Sequence, residues 1–308
     1  MGSQSRRMSL GKPRWAYVIH AYKHSEQLGR LTRSLATPEV AFYIHIDARV
    51  DIRPFQAALT RAGAGNLVFV KREKSRWSSM GCVKAVLNAM AEIEKSESIE
   101  YTYLLSGQDY PIKSNSYIAA FFEENKDTTY MSAWPLPTSC WSGDGGLDRL
   151  RRYHVQSFNS RALREGLDRV LGLLHPLIPE RRLPDELEPY GGSFYFGLSR
   201  HALRYILDFV RARPEYLKFH RFALTPEETF FQTILMNATD PLIRDRFVAR
   251  CLTYQDWPAV GPAPAILTEN HLPALEKSDC LFGRKFDMEI SPAVLDALDV
   301  RNGLPGQG

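Results

Sequence analysis

Apolar and polar positions fall into two alternating rhythms along the first hundred residues. Trp15–His20 is a nearly unbroken apolar run of strand length, and Leu28, Leu31 and Leu35 then recur at helical spacing. A second run, Val40–Ile46, ends at Asp47 and is followed by a helical stretch from Ile52 to Ala64. A third, Leu67–Val70, precedes a long helix from about Gly81 to Ser96, with Val83, Val86, Leu87, Met90 and Ile93 on one side. A fourth, Tyr101–Leu105, ends at Ser106-Gly-Gln-Asp109. Strands alternating with helices predict an α/β fold: a Rossmann-like, mostly parallel central sheet with helices on both faces. Ligands of such sheets bind at the carboxyl ends of the strands. That rule gathers His20, Asp47, Arg49 and Asp109 around one crevice.

The rhythm weakens from Ala133 to Tyr190, a stretch rich in Pro, Gly and Arg that includes Arg149, Arg151, Arg152, Arg161 and Arg164. It reads as a long excursion with helical pieces, and long excursions in compact domains are often functional. Order resumes with an alternating strand over Gly191–Leu198, a helix over Ser199–Arg211 and another helix starting at Thr225-Pro-Glu-Glu228. There is no internal repeat and no interdomain linker. The expected organisation is a disordered leader over residues 1–13, one catalytic domain over 14–300 with its excursion at 133–190, and a flexible tail at 301–308.

Composition narrows the function classes. At 44% hydrophobic, the 308-residue chain has ample apolar surface to bury, which excludes disorder as its main state. The net charge of +4 is too weak to argue for nucleic acid. The arginine-rich stretch also lacks the interleaved aromatics of a stacking platform, so no nucleic-acid partner is expected. No apolar run approaches the roughly 18 residues of a membrane span. The first residues have no apolar core of a signal peptide. Cys82, Cys140, Cys251 and Cys280 are widely separated, with no Cys/His cluster of zinc-site spacing. Free thiols in a reducing cytoplasm are the expectation.

Five segments, in order, carry a resemblance: Tyr43-Ile-His-Ile-Asp47; Arg76-Trp-Ser-Ser-Met-Gly81; Leu104-Leu-Ser-Gly-Gln-Asp-Tyr-Pro-Ile112; Gly191-Gly-Ser-Phe-Tyr-Phe196 with Thr225-Pro-Glu-Glu-Thr-Phe-Phe231; and Leu281-Phe-Gly-Arg-Lys-Phe286. Together they resemble the core-2/I-branching β-1,6-N-acetylglucosaminyltransferase and peptide O-xylosyltransferase family (glycosyltransferase family 14), in a soluble, bacterial-type form. The resemblance implies a GT-A fold and an inverting glycosyltransferase. It would move GlcNAc, xylose or a related sugar from a UDP-sugar to a hydroxyl of a glycan or small-molecule acceptor, with no cofactor and no divalent metal. A nucleotide-sugar or glycan-binding protein without turnover is the alternative.

The resemblance also assigns roles. Glu228 matches the family's catalytic glutamate and would be the general base; read without the family, Thr225-Pro-Glu-Glu228 is a helix capping box. Arg284 and Lys285 match a pair that binds the donor diphosphate, although a basic pair near a chain end is also an ordinary solvated feature. Asp47 and Arg49 match nucleotide contacts, with a helix-capping turn as the other reading of Asp47. His20, Trp77, Asp109 and Ser193 complete the expected UDP-sugar set. Core packing explains His20 and Trp77 as well, and loop shaping explains Asp109. Glu227, Trp257 and Arg152 are the expected acceptor contacts, with the acceptor entering over the excursion. Phe194 stands where the xylosyltransferases carry an acidic residue, which favours Glu228 as base. Many GT-A enzymes hold a cation with Asp-x-Asp; Ser106-Gly-Gln-Asp109 offers one carboxylate, so Arg and Lys are expected to take up the phosphate charge.

Overall fold

The computed structural model describes residues 12–76, 78–155, 161–174, 177–184, 187–258 and 263–303. Most of the expected leader and tail, and Trp77, therefore lie outside the described residues. The strands are β1 (Trp15–Ala21), β2 (Val40–Ile46), β3 (Leu67–Phe69), β4 (Tyr101–Ser106), β5 (Tyr110–Pro111), β6 (Thr129–Met131), β7 (Trp134–Pro135), β8 (Tyr190–Gly191), β9 (Phe196–Ser199), β10 (Phe247–Val248), β11 (Thr253–Gln255) and β12 (Phe282–Arg284). Seven of them form the central sheet, in the order β10-β6-β9-β4-β1-β2-β3. All neighbours are parallel except β9, which runs antiparallel to β4 and β6.

The apolar runs are explained by burial on both faces of this sheet. Successive side chains point to opposite sides of a strand. Tyr17 and Ile19 join Phe42, Ile44, Tyr103 and Leu105 in one core, under the helices Ser25–Leu35, Asn115–Asn125 and Pro292–Arg301. Ala16 and Val18 join Ala41, Tyr43 and Leu104 in the other, under Met80–Glu94 and Arg200–Ala212. Each fully buried large side chain contributes roughly 1.5–3 kcal/mol, so neither face can be stripped of its helices.

A small second sheet, β11-β12-β5, places the site. β12 pairs with β5, so the tail motif lies against the loop that follows β4. Ile112 N donates to Leu281 O (2.9 Å) and Phe286 N to Gln108 O (2.8 Å). Buried Gln27 completes the stitch: its amide donates to Gly107 O and Phe286 O and accepts from Met288 N.

One expected strand differs. Gly191–Leu198 is not one strand: Tyr190–Gly191 pairs with β7, and the chain leaves strand geometry before β9 begins at Phe196. At the break Gly192 passes so close to the Ser132 backbone that a Cβ there would stand 1.8 Å from Ser132 O. The excursion holds the short helix Asp148–Arg151 and the longer Arg161–Leu174. No helix among the described residues is long and apolar enough to cross a membrane.

Candidate active site

β1 lies between β2 and β4, so the order of strands reverses there. Loops leaving the carboxyl ends of these strands diverge, and such a switch point opens a crevice. A cavity of about 330 Å³ fills it, lined by His20 at the end of β1 and Lys23 after it, Arg49 after β2, Ser106 at the end of β4, and Gly107 and Gln108 after it. A second cavity of about 580 Å³ adjoins it, lined by Trp134, Cys140 and Trp141 of the excursion together with Ser193, Glu228 and Trp257. Phe194, Tyr195, Glu227, Arg284 and Lys285 line both. The tail cations and the Glu228 turn thus share one space, although 56 residues separate Glu228 from Arg284.

The basic pair is built differently at each position. Arg284 is mostly buried; its Nε donates to Asp109 Oδ1 (3.1 Å) and its guanidinium lies 4.1 Å from the Tyr195 ring centre. Among the described residues, its Nη nitrogens and the Lys285 ammonium have no carboxylate partner. Burial, then Arg284 and Lys23, hold the Lys285 ammonium below its ordinary pKa. Burial opposes any charge, but the neighbouring Arg284 and Lys23 cations favour an arriving anion.

Glu228 is partly exposed and accepts from Arg149 Nη1 at 2.6 Å. Arg149 also donates to Thr225 Oγ1 (2.7 Å) and stacks 3.7 Å above Trp141. Burial raises the Glu228 carboxyl above its ordinary pKa while Arg149 opposes that rise. The result is a carboxylate with a proton affinity higher than usual, which suits a base. The capping-box reading is overturned. Thr225 sits at φ 44° and caps nothing with its side chain; Pro226–Glu228 is a single 3-10 turn, and the helix begins only at Phe230. The counter-charge of Glu228 is a guanidinium from the excursion, not a helix N-terminus.

Several expected contacts stand apart from the cavity where they were expected. Asp47 is fully buried and outside both linings; its carboxylate accepts from Arg49 N, Nε and Nη2. Burial raises it, but Arg49 outweighs burial and holds it below the ordinary carboxylate value. Arg49 faces the cavity and Asp47 orients it. Asp109 likewise is fully buried, held by Ser106 N (2.6 Å), Ser106 Oγ (2.8 Å) and Arg284, so it shapes the loop and steers Arg284. Burial dominates there and raises its pKa. Ser193 lies in the second cavity, not the first. Arg152 lines neither; it borders a separate hollow with Tyr153 and Leu171. His20 does line the first cavity, and burial with His45 4.6 Å away pushes its imidazole down to about 3, so it is neutral. Trp257 is exposed at the second cavity.

Sequence reasoning missed Arg149, Trp141 and Tyr195. Nothing local marks them, because their roles arise from contacts with Glu228 and Arg284. Glu227 is buried, accepts from Ser78 N at 2.9 Å and leaves Oε2 without a partner. Ser78 Oγ in turn accepts from Thr225 N, pinning the two turns together. Burial, reinforced by Glu228, pushes the Glu227 carboxyl up to about 8 from an ordinary 4.5. The stability contributed by the protonated form is therefore full below 4.5 and is lost as pH rises to about 8. Glu227→Gln, which does not titrate, should be more stable than the parent by a margin growing ~1.4 kcal/mol per pH unit across that window. Urea unfolding at several pH values checks this; a margin independent of pH would refute the buried neutral carboxyl.

Known proteins resemble this chain over most of its length. The family model for Core-2/I-Branching enzyme matches residues 15–275. Xylosyltransferase 2 of Homo sapiens is 26% identical over 318 residues, covering 96% of this chain and 35% of that protein. Xylosyltransferase 1 of Canis lupus familiaris is 23% identical over 302 residues, covering 92% and 30%. The chain thus spans about a third of the length of the curated relatives it matches. A crystal structure of mouse xyloside xylosyltransferase 1 in its apo form aligns over 87% of this chain and 97% of that one, at 13% identity and a TM-score of 0.39. With the family model covering most of its length, the chain belongs to the Core-2/I-Branching enzyme family.

Proposed function

We propose that the protein is an inverting glycosyltransferase that moves a sugar from a UDP-sugar to an acceptor hydroxyl without a divalent metal. One observation carries the reading: Glu228, Arg284 and Lys285 line a single cavity that opens onto the strand-end crevice. The nucleotide occupies the crevice beside His20 and Arg49, with its diphosphate against Arg284 and Lys285. The acceptor enters the larger cavity past Trp141 and Trp257. Its hydroxyl oxygen attacks the anomeric carbon, the bond from that carbon to the diphosphate oxygen breaks with its electron pair leaving on UDP, and the proton passes to Glu228. Attack opposite the leaving group turns an α-linked donor into a β-linked product. GlcNAc, xylose and related sugars are the donor candidates, and a glycan or small molecule is the acceptor.

The metal-free part rests on the chemistry of Asp109. One of its oxygens meets Ser106 N and the other meets Ser106 Oγ and Arg284, so the carboxylate is already charge-balanced where a cation would need it. His24, Asp287 and Glu289 form a set with ligand-type atoms within 4.8 Å of one another, but Lys23 already lies against Asp287 there. Four unpaired cysteines support a reducing compartment such as the cytoplasm. The test is UDP release from UDP-xylose and UDP-GlcNAc with acceptor panels, with and without excess chelator. Turnover should be unchanged by the chelator. Loss of turnover that manganese restores would refute metal independence; no UDP release with any acceptor would favour the binding-protein alternative.

A further inference from the structure

Glu227 has no part in the reaction as proposed, yet it stands where the two cavities meet. Its surroundings are unusual for a carboxyl. Ser78 N–H supplies one hydrogen bond to Oε1, and Oε2 is buried with no partner. Three of the nearby cations are committed elsewhere, Arg149 to Glu228 and Thr225, Arg284 to Asp109 and the Tyr195 ring, and Arg49 to Asp47, and Lys285, which lines the same walls, makes no ion pair with Glu227. A buried carboxylate with no ion-pair partner and one oxygen unpartnered is disfavoured, and the group keeps its proton instead. A neutral carboxyl carries an O–H that needs an acceptor. Among the described residues none meets it, so the acceptor must come from what fills the cavities.

We propose that Glu227 is a sugar-recognition residue whose Oε2–H donates a hydrogen bond to a hydroxyl oxygen of the transferred sugar, at the wall shared by the nucleotide and acceptor cavities. The inference rests on the UDP-sugar reading above. In that reading the nucleotide fills the first cavity and the acceptor the second, so the transferred sugar spans the boundary that Glu227 lines. Glu227 and Glu228 then divide the work. The neutral neighbour positions the sugar as a donor, and the Arg149-paired neighbour takes the acceptor proton. Two adjacent carboxyls in unequal surroundings can hold opposite protonation states.

The test compares UDP with UDP-xylose and UDP-GlcNAc by calorimetry on the wild type, Glu227→Gln and Glu227→Leu. The quantity read is the ratio of UDP-sugar to UDP affinity, using the donor that the wild type binds better. The ratio should fall about tenfold in Glu227→Leu and be partly restored in Glu227→Gln, with UDP affinity itself within about twofold throughout. Between pH 7 and 9 it should also fall in the wild type relative to Glu227→Gln. The other groups facing Glu227 are Glu228, Arg149, Cys82, Arg284 and Lys285. The Cys82 thiol is pushed well above its ordinary value by burial and stays neutral, and any Lys285 titration is shared by the wild type and Glu227→Gln, so it cancels when their pH responses are compared. A wild-type ratio that rises with pH relative to Glu227→Gln would show a carboxylate accepting from the sugar and would overturn the proposal. So would an equal loss of UDP and UDP-sugar affinity in Glu227→Leu. If Glu227→Leu does not fold, the pH response of wild type against Glu227→Gln decides alone. Wild type that binds no UDP overturns the UDP-sugar reading and this inference with it; UDP binding with an unaltered ratio overturns this inference only.

Discussion

Glu228→Gln is expected to lower transfer by about 10²–10⁴-fold, the range for loss of a general base, while UDP affinity stays within about twofold. Gln keeps an oxygen for Arg149 to hydrogen-bond, so the turn at Pro226–Glu228 and its link to the excursion survive. What the variant loses is the capacity to take a proton. Because Glu228 faces the second cavity and not the first, the nucleotide site has no reason to change. The measurement pairs initial rates of UDP release with UDP titration calorimetry on the same preparation. Turnover close to the wild-type rate would move the base to another group. Arg149→Met tests the same arrangement from the other side: it frees Glu228 of its counter-charge and should raise the lower limb of the pH–rate profile.

Arg284→Ala is expected to fail twice. Transfer and UDP affinity both fall, the affinity by about tenfold or more, because a charged hydrogen bond is worth roughly 1.5–3 kcal/mol. The fold also weakens. Asp109 is fully buried, and Arg284 is the cation beside it. Removing one partner of a buried pair costs about 3–5 kcal/mol. Burial already holds the Asp109 carboxyl above its ordinary value, and losing Arg284 raises it further. The stability loss should therefore grow as pH rises and shrink in acid, where Asp109 takes a proton. Urea unfolding at pH 5 and pH 8 reads this. Lys285→Ala separates the two effects: it has no buried carboxylate to strand, so UDP affinity should drop with little change in stability. Equal stability losses in both variants would contradict the assignment of Asp109 as the Arg284 partner.

The helices and strands of the first hundred residues are legible because each apolar run reports its own burial. β1, β2 and β4 have few polar positions, and the sheet buries both their faces. The site is less legible. Asp47 and Asp109 look like ligand contacts because a carboxylate at a strand end usually is one, yet each is turned inward against an arginine. Thr225-Pro-Glu-Glu228 looks like a helix cap because those residues cap helices in isolation. Arg149 removes the need by supplying the charge and bonding Thr225 directly.

The sequence by itself determined the strands and helices of the first hundred residues and that they build a mostly parallel sheet. These follow from periodicity and residue type, which are properties of neighbours along the chain. Only the tertiary structure decided which carboxyls stay charged, which arginine meets which acid, and that one wall serves two cavities. Those outcomes depend on burial and on contacts such as Arg284 with Asp109, 175 positions apart. A side chain's charge and partners are set by the dielectric and the groups around it in space, and no local pattern encodes them.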